Sequence, residues 1–210
     1  MIDNAPATGG AAKEAASLLL IVAHPAMERS RANKAMAEAA QGAPGITLVD
    51  LYEIYPDFAI DVRAEQKRLV LHDTIVVQFP MYWYSTPALL KEWFDLVWLH
   101  GFAYGRGGTA LKGKKMVAAC STGGDEQAYH RKGANRFTIE EFLRPLEQTA
   151  SLCGMEWLEP FVLHASAAKT QAAIAREAKA YRKRLADLAQ GKTAPEAAPK
   201  ALPPKGATLQ

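Results

Sequence analysis

Short apolar runs recur along the chain, separated by stretches with helical periodicity, and this alternation sets the expected elements. Ser17 to Ala23 is a strand-length run, apolar after its first residue, that reads as a buried strand. Ser30 to Ala40 follows as a helix with Ser30 at its cap, and Ile46 to Leu51 as a second strand. A turn-rich Tyr55-Pro56-Asp57 leads to a helix over Asp61 to Leu71 and a third, β-branched strand over Thr74 to Phe79. Pro87 to Val97 reads as a helix with proline in its first turn, where a missing N–H costs least. Lys115 to Ser121 is the fourth strand and Thr138 to Leu152 the next helix. Met155 to Leu163 reads as a short final strand region, with Pro160 tolerated at an edge. Thr170 to Leu188 closes the pattern, its Ile174, Tyr181, Leu185 and Leu188 at helical spacing.

Apolar strands alternating with helices imply an α/β fold, a parallel sheet covered on both faces. A chain of 210 residues suits one compact domain, expected over residues 17–190, because residues 1–16 and 191–210 are rich in small or Pro, Ala and Lys residues without periodicity and are expected to be disordered. The longest apolar run, Leu18 to Ala23, is far short of the roughly 20 residues a spanning helix needs. Asp3, Lys13 and Glu14 ahead of that run, and His24-Pro25 directly after it, do not match a secretory leader, so a cytoplasmic location is expected. Cys120 and Cys153 form no Cys-x-x-Cys pair and read as buried thiols. The net charge of +3 is mild, and Arg176, Lys179, Arg182, Lys183 and Arg184 share one predicted helix. No basic stripe interleaved with aromatics supports nucleic-acid binding.

In a parallel sheet ligands sit beyond the carboxyl ends of the strands, which singles out three segments. His24-Pro25 through Asn33 joins a strand to a helix start, whose free amides and positive end suit a phosphate, with Ser30, Asn33 and His24 as further donors. An ordinary helix cap beside an incidental histidine accounts for the same residues equally well. Pro80 to Tyr84 places Met81, Tyr82, Trp83 and Tyr84 directly after a buried strand, either as an apolar wall for a flat conjugated ring or as a hydrophobic plug over the sheet edge. Ser121-Thr122-Gly123-Gly124 follows the fourth strand; paired glycines let backbone amides approach a ligand closely, or simply make a turn. Gly108 to Lys114 resembles a P-loop but precedes a strand and carries Lys115 where a hydroxyl should bind magnesium, so it is set aside. No Gly-x-Gly-x-x-Gly follows the first strand, and His72, His100, His130 and His164 show no metal-ligand spacing, so no metal site is expected.

Taken in order, His24-Pro25, Ser30-Arg-Ala-Asn33, Leu51-Tyr-x-x-Tyr-Pro-Asp-Phe58, Pro80-Met-Tyr-Trp-Tyr84, the Pro87 to Trp93 helix start, Gly101-Phe-Ala-Tyr-Gly105 and Thr122-Gly-Gly124 resemble the flavodoxin-like NAD(P)H:quinone oxidoreductases, over about Ser17 to Leu188. Within them, the chain is most similar to the ancillary flavoproteins of glutathione-regulated potassium efflux systems. The resemblance implies a flavodoxin-like, five-stranded parallel sheet, FMN in preference to FAD, and NADPH or NADH as hydride donor. It implies that His24, Ser30, Arg31, Ala32 and Asn33 hold the flavin phosphate end. It further implies that Pro80, Met81, Tyr82, Trp83 and Tyr84 contact the isoalloxazine, and that Ser121, Thr122, Gly123 and Gly124 contact its pyrimidine edge. Tyr129 matches a tyrosine that assists hydride transfer, Asn135 stands where its partner histidine is found in some members, and Phe102 and Tyr104 match the acceptor pocket. The implied activity is two-electron, ping-pong reduction of a quinone-type acceptor by a homodimer. The alternative is a regulatory subunit that activates a potassium efflux antiporter, peripheral at the inner membrane through that partner. A flavodoxin-type one-electron carrier is disfavoured by the basic pI near 8.8.

Overall fold

The computed structural model describes residues 17–192: of the ends expected to be disordered, 1–16 and 191–210, all but Gly191 and Lys192 lie outside the described residues, and the amides of those two bond the Leu188 and Asp187 carbonyls. The elements are β1 (Leu18–Val22), α1 (Arg31–Ala40), β2 (Ile46–Asp50), α2 (Leu51–Ile54), α3 (Val62–Leu71), β3 (Thr74–Pro80) and α4 (Ala88–Val97). They continue with β4 (Lys115–Ser121), α5 (Ile139–Leu152), β5 (Glu156–Trp157), β6 (Phe161–Leu163) and α6 (Gln171–Ala189). All strand pairings are parallel, in the order β2-β1-β3-β4-β5, with β6 also on β4.

The two faces of the sheet are dictated by the period-2 alternation of strand side chains. Leu19, Ile21, Ile75, Val77, Met116 and Ala118 face one side and pack with Leu69 of α3, Leu90 and Trp93 of α4, and Leu143 of α5. Leu18, Leu20, Val22, Val76, Val117 and Ala119 face the other and pack with Met36 of α1 and Tyr181 and Leu185 of α6. Every residue of β1 and β3 is buried, which is why these strands read as continuous apolar runs rather than alternating ones.

Each long helix but one begins on a side-chain cap. Ser30, Asp61, Thr138 and Thr170 accept the amides of Asn33, Ala64, Glu141 and Ala173, and Glu141 returns a bond to the Thr138 amide. Each such cap contributes about 1 kcal/mol. The exception is α4, which starts after Pro87 without one.

The final strand region is not continuous. The Leu158 amide still bonds the Met116 carbonyl, but residues 158–160 belong to no strand and pairing to β4 resumes at Phe161. Pro160 has no N–H to offer the ladder, which accounts for a fifth lane built from two pieces. The short α2, capped by Asp50, stands ahead of the turn expected at Tyr55-Pro56-Asp57. Because β1 connects outward to β2 while β3 begins on its other side, strand order reverses between β1 and β3. A crevice is expected at the carboxyl ends of those two strands.

Candidate functional site

The end of β1 delivers His24 to that crevice, where it is buried. Its Nδ1 accepts the Ala26 amide at 3.1 Å, so in the neutral ring the proton sits on Nε2, which faces the Tyr82 hydroxyl at 3.4 Å. Burial lowers the His24 pKa, against a smaller opposing pull from Glu28. After a 3-10 turn at Met27–Arg29, Ser30 caps α1. The capped amide belongs to Asn33, which leaves the Arg31 and Ala32 amides without partners inside the helix.

A cavity of about 570 Å³ opens here. It is lined by His24, Ser30, Arg31, Ala32 and Asn33 from the first segment, Pro80 and Tyr82 from the second, and Ser121 from the third. The three segments do converge, and buried hydrogen bonds tie them. Asn33 Nδ2 donates to Ser121 Oγ at 2.8 Å, Gln78 Nε2 donates to the Asn33 carbonyl at 2.9 Å, and the Met81 amide donates to the Ser121 carbonyl at 2.9 Å. Asn33 Oδ1 and Gln78 Oε1 are buried without a partner. Ala26, Arg29, Ser166 and Ala167 also line the cavity and were not anticipated. Ser166 and Ala167 follow β6, so the strand-end rule applied to the last strand would have found them.

The aromatic segment is a tight turn. Tyr82 and Ser85 exchange both amide-to-carbonyl bonds, at 3.1 and 3.0 Å, and the two residues between them, Trp83 and Tyr84, have φ of 49° and 64°. That is the geometry of a two-residue hairpin turn that ordinarily takes Asn-Gly, held here by two bulky rings at a conformational cost. Trp83 projects with 93% of its surface exposed. Tyr84 stacks on Phe142 of α5, with ring centroids 4.9 Å apart, and donates to Asn135 Oδ1 at 3.3 Å.

Not every anticipated residue reaches the first cavity. Met81, Tyr84 and Tyr104 line a second, more apolar groove of about 340 Å³ between α4 and α5. Trp83, Phe102, Thr122, Gly123, Gly124, Tyr129 and Asn135 line neither. Phe102 is half-buried against the core. Asn135 sits with the paired glycines: a Cβ on Gly124 would lie 3.6 Å from Asn135 Nδ2 and 3.2 Å from the Tyr129 ring. Burial foremost raises the Tyr129 pKa, while the Thr122 hydroxyl and the Gly124 amide oppose that shift. Cys120, next to last in β4, has its thiol pushed up to about 12 by burial and is chemically quiet.

Comparison with known proteins gives this geometry its context. A family described as "Flavodoxin-like fold" matches residues 16–185. The chain is 44% identical over 174 residues to the glutathione-regulated potassium-efflux system ancillary protein KefG of Cronobacter sakazakii, covering 83% of this chain and 95% of that relative. It is similar to the general stress protein 14 of Treponema denticola, whose structure is a complex with FMN (TM-score 0.77, 40% identity, 83% of this chain and 99% of that one). It is also similar to an NADPH-quinone reductase of P. pentosaceus (TM-score 0.73, 34% identity, 80% of this chain and 96% of that one).

Proposed function

Because the chain belongs to this flavodoxin-like family, we propose that it is an FMN-dependent NAD(P)H oxidoreductase that reduces quinone-type acceptors. The observation that carries this reading is the cavity at the β1–β3 switch point, with its paired hydrogen-bonding chemistries. At one end, the Arg31 and Ala32 amides, the Ser30 hydroxyl and the positive end of α1 suit a phosphate. Further in, Asn33 Oδ1 is a buried acceptor lacking a donor, and a phosphate cannot satisfy it. A polyhydroxylated chain ending in phosphate satisfies both, and that is the tail of FMN. The FMN complex of the T. denticola relative supports the same choice over FAD.

When bound, the flavin supplies hydride chemistry between nicotinamide and acceptor; the chain's residues bind, orient and keep the ring accessible. His24, Ser30, Arg31, Ala32 and Asn33 hold the tail, with Pro80, Tyr82 and Ser121 beside it. Met81, Trp83 and Tyr84 present apolar surface to the ring, and the strained turn fixes the two rings at its tip before any ligand arrives. Gly123 and Gly124 supply amides toward the pyrimidine edge, Thr122 holds that loop through its amide bond to the Leu163 carbonyl, Tyr129 supplies a phenolic proton, and Asn135 anchors Tyr84. Phe102 and Tyr104 stand on the acceptor side, Tyr104 lining the apolar groove between α4 and α5. The exposed Trp83, Phe137 and Leu152 favour a homodimer that covers them.

The test is purification, an absorbance scan with cofactor release, and anaerobic NADPH titration with menadione as acceptor. A yellow protein releasing FMN and bleached by NADPH is expected; a colourless chain that neither flavin reconstitutes overturns the reading. Similarity to KefG favours a second role, docking on a potassium efflux antiporter at the membrane. Among the described residues no helix is long and apolar enough to cross a membrane, so that role requires a partner. Potassium efflux measured with and without the chain decides it.

A further inference from the structure

Beside the cavity, one cluster joins Tyr129 to a titratable group that the reading above leaves unused, His164. Thr122, buried just after β4, has its Oγ1 2.8 Å from the Gly124 carbonyl and 3.1 Å from Nδ1 of His164, the first residue after β6. A carbonyl only accepts, so the single Thr122 proton goes to Gly124. The His164 contact is then satisfied in one way, with Nδ1 carrying the proton and donating to Oγ1. The Ala165 amide also bonds the Gly124 carbonyl at 2.9 Å, which latches the loop after β6 onto the paired glycines. The Tyr129 ring lies 5.6 Å from the His164 ring, and its phenol faces the Thr122 hydroxyl and the Gly124 amide. Thr122 therefore stands between a phenol and an imidazole whose Nε2 lone pair is left open.

We propose that His164, acting through the Thr122 hydroxyl, is a positioning residue that replenishes the proton on the Tyr129 phenol during acceptor reduction. The proposal rests on the oxidoreductase reading. Reducing a quinone to its diol oxidises NAD(P)H to NAD(P)+, carries two electrons and one proton as hydride, and takes a second proton from water. That second proton enters at His164 Nε2. Nδ1–H then passes to Thr122 Oγ1, the Thr122 proton turns from the Gly124 carbonyl to the Tyr129 oxygen, and the proton Tyr129 held goes to the acceptor oxygen. The imidazole is left neutral with its proton on Nε2 and regains the starting tautomer by exchange with water.

The surroundings suit a ring that is neutral at rest. Burial foremost lowers the His164 pKa below its ordinary 6.5. Lys169 ahead of α6 adds to that, while Asp125 and Glu126 from the turn after β4 and Glu140 on α5 oppose it. Nothing covalent holds the ring in place, so its orientation depends on the Thr122 bond and on Tyr129.

Two measurements test the proposal. In the full chain without cofactor, imidazole ¹⁵N spectra are expected to show His164 with Nδ1–H, and Thr122→Val to collapse that preference to a mixture. In the flavin-loaded chain, His164→Asn keeps an N–H donor where Nδ1 stood but cannot titrate, while His164→Leu removes both. With His164→Asn, flavin content and the KM for NADPH are expected to hold while kcat for menadione falls about tenfold and loses its pH dependence below about pH 6.5. A purely structural latch predicts that His164→Asn behaves as wild type, and that result overturns the proposal. A resting Nε2–H tautomer overturns it alone, leaving the functional reading intact; a wild-type chain that binds no flavin overturns both.

Discussion

Asn33 Nδ2 and Ser121 Oγ meet at 2.8 Å across the mouth of the β1–β3 crevice, joining the first turn of α1 to the end of β4. Both residues are buried, so the bond is shielded from bulk water. Ser121→Ala strands the Asn33 amide, and a buried donor left unmade costs about 1–3 kcal/mol. Chemical denaturation is expected to report that loss, and fluorescence titration a weaker FMN affinity. Unchanged values in both would show that the bond is replaceable.

The His24 tautomer ties stability to pH. Protonating the ring turns Nδ1 into a donor facing the Ala26 amide, so the folded state resists the charge, as burial already does. With the folded pKa below the ordinary 6.5, the unfolded chain binds more protons between the two values. Stability is therefore complete above about pH 6.5 and declines as pH falls through that window, levelling off below the folded value. His164 is shifted the same way and adds to the decline. His24→Asn, which keeps an acceptor for Ala26, is expected to flatten much of the slope in denaturation midpoints taken from pH 7.5 to 5.

Strain in the aromatic turn trades stability for binding. Trp83 holds φ of 49° with its side chain almost wholly in solvent, a conformation that costs a non-glycine residue about 1–2 kcal/mol. Trp83→Gly is expected to raise the melting temperature while lowering FMN affinity or NADPH oxidation at least tenfold. A variant that melts lower than wild type would show that the ring packs on something within the folded chain.

Gly124 is constrained by proximity. A Cβ there meets Tyr129 Cε2 at 3.2 Å and Ala128 Cβ at 3.3 Å, so Gly124→Ala displaces the phenol by a few tenths of an ångström. Flavin content is expected to persist while menadione turnover falls about tenfold, equivalent to about 1.4 kcal/mol of barrier. Steady-state kinetics on the loaded variant check this.

Away from the crevice, Glu65 is a buried carboxylate that accepts from Tyr55 Oη at 2.7 Å and Trp93 Nε1 at 3.0 Å and pairs with Arg68. Removing one partner from such a group is costly: Glu65→Ala is expected to destabilise by about 3–5 kcal/mol. Loss of turnover in this variant should track the unfolded fraction, since nothing in the network touches the cavity.

How far the chain was legible before its structure follows from the range of each interaction. Buried parallel strands such as Leu18–Val22 are apolar on both faces, and caps such as Ser30 and Thr138 act within three residues, so these elements were readable locally. The split at residues 158–160 was not read, because Pro160 declares a missing donor without saying whether the ladder resumes. The Trp83-Tyr84 turn was also hidden: its dihedrals oppose the local preference of both residues and hold only because the surrounding pairings outweigh it.

The sequence by itself determined which three strand-end segments stood out, since composition marks a helix start, an aromatic run and a glycine pair wherever they fall. Only the tertiary structure decided which side chains share a cavity. Met81 and Tyr84 turn to the apolar groove while Tyr82 turns to His24, a division set by the reversal of the chain at the Trp83-Tyr84 turn. It also brought Ser166 into the cavity and His164 onto Thr122, 42 residues away in the chain. Hydrophobic patterning is a local property, but the pairing of one strand end with another is set by sheet order, and sheet order exists only once the core has closed.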